Sequence, residues 1–278
     1  MTFPSPLPPL TLLKLGGSLI TDKNRPHTPR LEVLARLAQE IASARRQRPG
    51  LRLLLGHGSG SFGHVPAQKY GTRHGVHSAD AWQGFVEVWR QAAALNRLVM
   101  EALSAAGVPA LSFPPSATVT AGDGQVAAWD LSPLSAALQA GLLPVIYGDV
   151  AFDRQRGGTI LSTEDLFTHL VPRLRPARVL LAGLEAGVWA DFPACTRLIA
   201  EISPQTYPHI EAALGGSNAT DVTGGMASKV KLALGWVGQT PGLEVRIFSA
   251  TAPGGLESVL LGQPLGTQVT VAAGEQGV

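Results

Sequence analysis

Short apolar runs of the β-strand type alternate along this chain with longer stretches of helical character. Residues 11–15 and 51–55 form the first two runs, and over residues 31–47, between them, leucine and isoleucine recur at spacings of three and four. A strand, a helix and a second strand in this order are typical of a parallel sheet that is covered by helices. The alternation therefore predicts an α/β fold with a mainly parallel sheet.

The rest of the chain continues this pattern. Ser78 is the predicted N-cap of a long helix over residues 79–106, which carries Trp82, Phe85 and Trp89 on one side. Residues 150–161 predict a β-hairpin with its turn near residues 156–158. Further strands are predicted at 109–113, 144–147, 178–181, 243–248 and 268–271, and further helices from residue 162, over 204–214, over 226–237 and after residue 255.

The domain organisation follows from the lack of a break in this alternation. No linker rich in proline, serine or glycine divides the 278 residues. We therefore expect one domain over residues 1–278 with two lobes, one of about residues 1–150 and one of about residues 151–278.

Composition excludes several classes of protein. The net charge of +2 and the short arginine clusters argue against nucleic acid as a partner. Cys195 is the single cysteine, which excludes an internal disulfide and a cysteine zinc site. No apolar run approaches the roughly 20 residues that cross a bilayer, and the N-terminus lacks the features of a signal peptide. We expect a cytoplasmic protein without a membrane partner.

The glycine-rich segment GHGSGSFGH at residues 56–64 contains the G-x-G-x-x-G pattern of dinucleotide sites. That site also needs a helix that begins within the glycines and an acidic residue at the end of the next strand. Pro66, Gly71 and Gly75 oppose a long helix here, and Asp80 lies beside a predicted helix cap instead of a strand end. A dinucleotide site is therefore disfavoured, and no P-loop pattern occurs.

Two other glycine turns carry lysines. Lys14 precedes Gly16 and Gly17, and Lys23 follows shortly after. The segment DVTGGM at residues 221–226 leads into a predicted helix with Lys229 in its first turn. Glycines let backbone N–H groups approach phosphate oxygens, and lysines neutralise them. A lysine inside an apolar strand, such as Lys14, is unfavourable unless it is paired or serves a site. These turns predict a site for two phosphorylated ligands.

The segments LLKLGGSLITDK, GHGSGSFGH, PVIYGDVAFD and DVTGGMASK occur in the order of the amino acid kinase superfamily. The chain resembles most closely its isopentenyl phosphate kinase branch. The resemblance implies a three-layer αβα sandwich, usually a homodimer, with the acceptor in the N-terminal half and ATP in the C-terminal half. The implied reaction transfers the γ-phosphoryl group of Mg²⁺-bound ATP to isopentenyl phosphate.

The resemblance also assigns roles to residues. Lys14 would contact the transferred phosphoryl group, Lys23 would stabilise the transition state, and Lys229 would bind the ATP phosphates. His64 would donate a hydrogen bond to the phosphate of the acceptor. The other implied nucleotide contacts are Gly16, Gly17, Ser18, Gly60 and Gly225, and the other implied acceptor contacts are Ser59, Gly60 and Gly148. His57, His74 and His77 receive no role.

The aromatic face of the predicted long helix has two interpretations. Core packing is the simpler one, because such stripes occur on any buried helix. In the family this helix borders the hydrocarbon pocket, so Phe85 and Trp89 are also candidates for contact with a prenyl chain.

The chain departs from the family pattern at three places. The family's T-D-V-D-G-V is GLEAGV at residues 183–188, with Glu185 as a candidate substitute for the missing aspartates. The family's S-G-D-D is STED, in which Glu164, or alternatively Asp165, would orient the lysines. Ser59 replaces the middle glycine of H-G-G-G. No metal cage is visible, and Mg²⁺ would arrive bound to ATP oxygens and water.

Two other functions stay open. One is a related kinase for another small phosphate or a phosphonate such as fosfomycin. The other is a nucleotide-binding regulatory protein that has lost turnover, which the missing aspartates permit.

Overall fold

The structure is a computed structural model that describes residues 8–214 and 225–271. Residues 221–224 of the DVTGGM segment therefore lie outside the described residues. The strands are β1 (Leu10–Leu15), β2 (Arg52–His57), β3 (Ala110–Ser112), β4 (Val119–Gly122), β5 (Gln125–Trp129), β6 (Leu143–Tyr147), β7 (Asp149–Asp153), β8 (Gly157–Leu161), β9 (Arg178–Gly183), β10 (Val188–Trp189), β11 (Leu198–Ile199), β12 (Glu201–Ile202), β13 (Glu244–Ser249) and β14 (Thr267–Val269). The helices are α1 (Gly17–Ile20), α2 (Leu31–Gln47), α3 (Gly60–Tyr70), α4 (Ala79–Ala105), α5 (Pro115–Thr118), α6 (Ser132–Gln139), α7 (Thr163–Leu174), α8 (Tyr207–Leu214), α9 (Gly225–Gln239) and α10 (Gly255–Leu261).

The main sheet has eight strands in the order β12-β14-β13-β9-β1-β2-β6-β3. The six strands from β13 to β3 are parallel to their neighbours, whereas β14 pairs antiparallel with β13. Strand β1 lies between β2 and β9, so strands from both halves of the chain form one continuous sheet. The predicted α/β fold with a mainly parallel sheet is confirmed.

Helices cover both faces of the main sheet. Leu12 and Leu13 are adjacent in β1 and are both fully buried, but they belong to different core clusters. Leu12 packs in the cluster that includes Phe167 of α7, and Leu13 packs in the cluster that includes Ile41 of α2. Because successive side chains of a strand point to opposite faces, one strand contributes to both cores. This arrangement produces the three layers.

A second sheet of four strands has the order β5-β4-β7-β8. Its β7 and β8 form the predicted hairpin, with Asp149 opposite Leu161, although the turn lies at residues 154–156, slightly before the predicted position. The carboxylate of Asp153 accepts hydrogen bonds from four backbone N–H groups, those of Asp123, Gly124, Gln155 and Arg156. These bonds fix the turn against the neighbouring β4–β5 connection.

The two helices around the glycine-rich segment differ in how well the sequence predicted them. The long helix α4 begins as expected, with Oγ of Ser78 accepting a hydrogen bond from the N–H of Ala81 at 3.2 Å. The expectation that Pro66 opposes a helix is wrong, because α3 continues through it and ends at Gly71. Packing of α3 on α4 overrides local propensity, with Tyr70 filling the space that a side chain at Gly84 would need.

No strand follows α3, which matters for the dinucleotide pattern. The chain passes from α3 through a short 3₁₀ turn, Thr72–His74, into α4. The acidic residue of a dinucleotide site, which terminates a second strand, has no counterpart there. Among the described helices, none is both long and apolar enough to cross a membrane.

The loops after β1 and β2 approach each other backbone to backbone. A Cβ atom at Gly17 would lie 2.5 Å from the backbone nitrogen of Gly60. Gly60 itself has φ +50°, and a Cβ atom there would lie 2.1 Å from Oγ1 of Thr21. That hydroxyl accepts a hydrogen bond from the N–H of Ser61 at 3.0 Å and donates one to the Gly17 carbonyl at 2.7 Å. Only glycines permit this approach.

Substitution of Gly60 by alanine tests the close approach. Gly71 provides the control, since it also has positive φ (+61°) but no atom within 4 Å of a Cβ position. Gly71→Ala should lower the free energy of unfolding by about 1 kcal/mol through the left-handed backbone alone. Gly60→Ala should lower it by about 1 to 3 kcal/mol more, because the methyl group has no space. Chemical denaturation measures both, and equal losses would contradict the packing argument.

Candidate active site

A cavity of about 400 Å³ lies where β1, β2 and β6 end and where α3 and α7 begin. Ligands of open α/β sheets bind outside the carboxyl ends of the strands, so this is the expected position. The structure brings most of the predicted site residues to its walls. They are Lys14, Gly16, Gly17, Ser18, Lys23, Ser59, Gly60, His64, Gly148, Glu164 and Lys229.

A buried ion pair joins Lys14 to Glu164 at the base of the cavity. Lys14 lies on β1 two residues after Leu12, so its side chain points to the same face, where α7 packs. Glu164 lies in the first turn of α7, and both residues are less than one-tenth exposed. Burial alone would raise the pKa of Glu164, but the charge of Lys14, its hydrogen bond and the charge of Lys229 together hold this pKa below its usual value. The carboxylate therefore stays ionised beside two lysines.

Asp165, the alternative to Glu164, has different partners. Its Oδ2 accepts hydrogen bonds from the N–H and Oγ of Ser162, at 2.7 and 2.8 Å, in a reciprocal capping box. The same oxygen accepts a third bond, at 3.0 Å, from Nη2 of Arg73. Successive residues of a helix are rotated by about 100°, so Asp165 points away from the side of α7 that carries Glu164. The geometry thus favours Glu164 as the residue that orients the lysines.

One face of α3 forms a wall of the cavity. Gly60, His64, Ala67 and Gln68, followed by Gly71, recur along this wall at the helical spacing of three and four residues. Ser59 precedes the helix. A Cβ atom at position 63 would lie 2.5 Å from Oγ of Ser59, so the glycine at this position leaves room for the serine side chain. The sequence contains this periodicity, but Pro66 argued against a helix here, so the pattern did not predict the cavity-facing side of α3.

Apolar residues line the same end of the cavity. Ala67 of α3, Val88 of α4 and Ile160 of β8 contribute to its wall, and Val88 is almost fully buried. Arg73 and His74 of the 3₁₀ turn also line the cavity. None of these residues was predicted, since they come from three elements that meet only in the folded chain. The site combines cations with a hydrocarbon surface.

The structure does not bring Phe85 and Trp89 to the wall of this cavity, so their contact with a prenyl chain stays a prediction beside the simpler interpretation of core packing. Phe85 is buried against Trp82 and Phe152, with ring centroids 5.2 and 5.4 Å apart, outside the cavity wall. Trp89 is 44% exposed. Val88 faces the cavity instead, and Trp89, one residue later, is turned to the outer side of the helix.

The remaining predicted positions lie at the margin of the site. Gly225 begins α9 one turn before Lys229, with φ +66°, but does not line the cavity. Glu185 accepts a hydrogen bond from Nε1 of Trp189 at 3.1 Å and is also absent from the cavity wall. Within the described ranges, no group of three or more histidine, cysteine or acidic residues could hold a metal ion.

Buried polar residues support the floor of the cavity. Oγ1 of Thr163 donates a hydrogen bond to the carbonyl of His57 at 2.6 Å, which joins α7 to β2. His57 is fully buried and stacks on Tyr147, its Nε2 lies 3.2 Å from Oδ1 of Asn96, and burial lowers its pKa. Asp149 is also fully buried, beside the cavity residue Gly148, and burial raises its pKa to about 6 despite hydrogen bonds from backbone N–H groups.

The raised pKa of Asp149 predicts a pH-dependent stability. The folded state binds the Asp149 proton more tightly than the unfolded state does, so this stabilisation is full below about pH 4 and is lost as pH rises through about 6. Asp149→Asn should therefore gain about 2 to 3 kcal/mol of unfolding free energy relative to the unsubstituted protein between pH 4 and 7. Denaturant titrations at several pH values measure this difference. Asp130→Asn, at an exposed position, is the control and should show no such gain. If the unfolding free energies of Asp149→Asn and of the unsubstituted protein change in parallel with pH, the prediction is contradicted.

Comparison with known proteins gives a consistent result. The amino acid kinase family matches residues 9–249. The chain is similar to the isopentenyl phosphate kinases of Methanocaldococcus jannaschii (33% identity, 94% of this chain and 98% of that protein), Methanothermobacter thermautotrophicus (35%, 94% and 99%) and Haloferax volcanii (36%, 94% and 98%). A solved structure of an isopentenyl phosphate kinase is similar with a TM-score of 0.78 and 31% identity, over 94% of this chain and all of that one.

Proposed function

The chain belongs to the amino acid kinase family, and we propose that it is an isopentenyl phosphate kinase, which converts ATP and isopentenyl phosphate to ADP and isopentenyl diphosphate. The observation that carries this proposal is the composition of one cavity. Four basic residues, Lys14, Lys23, Arg73 and Lys229, line it with one acidic residue, Glu164, while an apolar wall closes one end. Two phosphates and a short hydrocarbon chain match this combination.

The nucleotide end of the site is assigned to the glycine turn after β1 and to α9. Gly17 and Ser18 offer backbone N–H groups to the ATP phosphates, with Lys229 and the start of α9 at Gly225 on the other side. The N–H of Gly16 already donates to the Ala182 carbonyl at 2.8 Å, so Gly16 contributes close approach only. The described residues offer no metal cage, and Glu164 is already paired with Lys14. Mg²⁺ therefore enters as a complex with ATP, held by phosphate oxygens and water.

The acceptor end is assigned to α3 and the apolar wall. Ser59, Gly60 and Gly148 border the acceptor phosphate, and His64 donates a hydrogen bond to it. Ala67, Val88 and Ile160 enclose the hydrocarbon. The two ends draw on both proposed lobes, about residues 1–150 and 151–278, because the glycine turn after β1 serves the nucleotide end and Ile160 serves the acceptor end.

The chemistry needs no protein nucleophile. The acceptor phosphate is anionic near neutral pH, so the protein has to align it with the γ-phosphoryl group and neutralise the charge that is shared during transfer. Lys14, held in place by Glu164, faces the transferred group, and Lys23 supplies a further positive charge at the transition state.

A coupled assay of ADP release tests the proposed function. The panel contains isopentenyl phosphate, dimethylallyl phosphate, longer prenyl phosphates and fosfomycin, and we expect the highest kcat/KM for isopentenyl phosphate. A preference for fosfomycin would reassign the enzyme to phosphonates. ATP binding without turnover on any acceptor would indicate a regulatory protein.

In the same assay His64→Ala should lower kcat/KM for isopentenyl phosphate by about 100-fold or more, because one hydrogen-bond donor to the reacting phosphate is lost. The KM for ATP should change by less than about threefold, since His64 lies on the acceptor side. His77→Ala, an exposed loop histidine outside the cavity, is the control. An equal loss of ATP binding would refute the assignment of His64.

We also propose a homodimer in the cytoplasm. Trp82, Val86 and Trp89 of α4 form an exposed apolar surface with Phe152 of β7, and Trp82 and Phe152 are in ring contact at 5.9 Å. An exposed aromatic surface of this kind is typical of a subunit interface. Cys195 is a free thiol, which fits a reducing compartment.

Sedimentation equilibrium tests the assembly. The unsubstituted protein should have twice the mass of one chain, and Trp89→Glu combined with Phe152→Glu should yield monomers, because the charges would be buried in the interface. Leu31→Glu changes an exposed leucine on α2 that is not one of these four residues, and should leave the mass unchanged. A dimer that survives the double substitution would place the interface elsewhere.

A further inference from the structure

Arg73 has no role in the site as assigned so far, although it lines the cavity. It lies in the 3₁₀ turn that follows α3, the helix that carries His64. The backbone of this turn is fixed, because the Arg73 carbonyl accepts hydrogen bonds from Oγ1 of Thr159 at 3.0 Å and from Nη1 of Arg156 at 3.2 Å. Residue 73 therefore has a defined position next to β8.

The guanidinium of Arg73 is also oriented. Its Nη2 donates to Oδ2 of Asp165 at 3.0 Å, and Asp165 is itself held by the capping box with Ser162. The side chain remains 41% exposed. A guanidinium has five N–H groups in one plane, so the bond to Asp165 leaves others for a ligand in the cavity. Such pre-orientation lowers the entropy that binding would cost.

The charges around the cavity show where a further cation is required. Glu164 neutralises Lys14 directly and lowers the net positive charge near Lys229. On the acceptor side, His64 offers a hydrogen-bond donor to a phosphate oxygen. A phosphomonoester carries about 1.5 to 2 negative charges at pH 7. Arg73 is the fully charged side chain that follows the acceptor-side helix.

We propose that Arg73 binds the phosphate of the acceptor and that Asp165 is its positioning residue. This inference rests on the proposed function and deepens it. Planar guanidinium groups bind phosphate oxygens through two parallel hydrogen bonds, which fixes the orientation of the phosphate as well as its position. Arg73 thereby selects acceptors that already carry a phosphate over the corresponding alcohols.

Kinetics of two Arg73 variants test the proposal. Arg73→Gln should raise the KM for isopentenyl phosphate by about 10- to 100-fold, the effect of losing a charged hydrogen-bond pair, while the KM for ATP changes by less than about threefold. Arg73→Lys keeps the charge but lacks the planar guanidinium, so its KM for isopentenyl phosphate should lie between those of the unsubstituted protein and Arg73→Gln. The control is Arg90→Gln on α4, which breaks an exposed ion pair with Glu87 and should change neither KM.

Asp165→Asn separates positioning from direct binding. It removes the charge that orients Arg73, so the KM for isopentenyl phosphate should rise by less than in Arg73→Gln, and the double variant should resemble Arg73→Gln alone. A purely structural role of the pair would instead change the KM for isopentenyl phosphate and the KM for ATP together. It would also lower the melting temperature of Arg73→Gln, of Asp165→Asn and of the double variant. Those outcomes, or an unchanged acceptor KM in Arg73→Gln, would overturn the proposal.

Calorimetry makes the test independent of turnover. Isopentenyl phosphate and its parent alcohol are titrated into the unsubstituted protein and into Arg73→Gln and Arg73→Lys. We expect phosphate-dependent binding that is about 10-fold or more weaker in Arg73→Gln, with the alcohol unaffected. If the unsubstituted protein binds isopentenyl phosphate but does not phosphorylate it, the proposed function fails while Arg73 can still be judged. If Arg73→Gln does not fold, Arg73→Lys is used in its place. An affinity of Arg73→Lys for isopentenyl phosphate equal to that of the unsubstituted protein would refute the role of Arg73 in phosphate binding.

Discussion

The buried ion pair between Lys14 and Glu164 is the constraint on which the rest of the site depends. A lysine in the central strand of a covered sheet is strongly unfavourable unless a carboxylate meets it, and β1 presents Lys14 to the face on which α7 packs. Helix α7 must therefore begin close to the end of β1. The capping box at Ser162 and Asp165 fixes that start, and Thr163 joins it to the backbone of β2. The position of the cavity follows from these contacts.

The sequence predicted the features that depend on local pattern. Most strands of the main sheet, the α4 cap at Ser78 and the β7–β8 hairpin follow from periodicity and turn residues, and Lys14 stands out as a candidate site residue because it interrupts an apolar strand. The sequence did not predict β4, β5 or the two-residue strands β10, β11 and β12. The predictions failed where distant packing decides. Helix α3 tolerates Pro66 because it packs on α4, and the aromatic stripe of α4 could not show which of its residues faces the cavity. Val88 does so, whereas Trp89 faces outward.

Arg73, Val88 and Ile160 show why part of the site was beyond the reach of the sequence. They lie in a 3₁₀ turn, a helix and a hairpin, and no spacing along the chain relates them. What brings them together is a set of specific contacts, such as the hydrogen bond from Thr159 to the Arg73 carbonyl. By contrast, Glu164 and Asp165 are adjacent in sequence, and only the direction of each side chain on α7 separates their contacts.

The small sheet has a consequence for how this enzyme family can diversify. Ile160 and the contacts that hold the Arg73 turn belong to the β7–β8 hairpin, whereas Lys14 and Gly17 lie on and after β1 of the main sheet. Part of the proposed acceptor end is thus supported by a different sheet from the one that carries Lys14, although His64 follows β2 of the main sheet. Mutations can accumulate in the hairpin and change what is phosphorylated while the machinery of transfer is inherited intact.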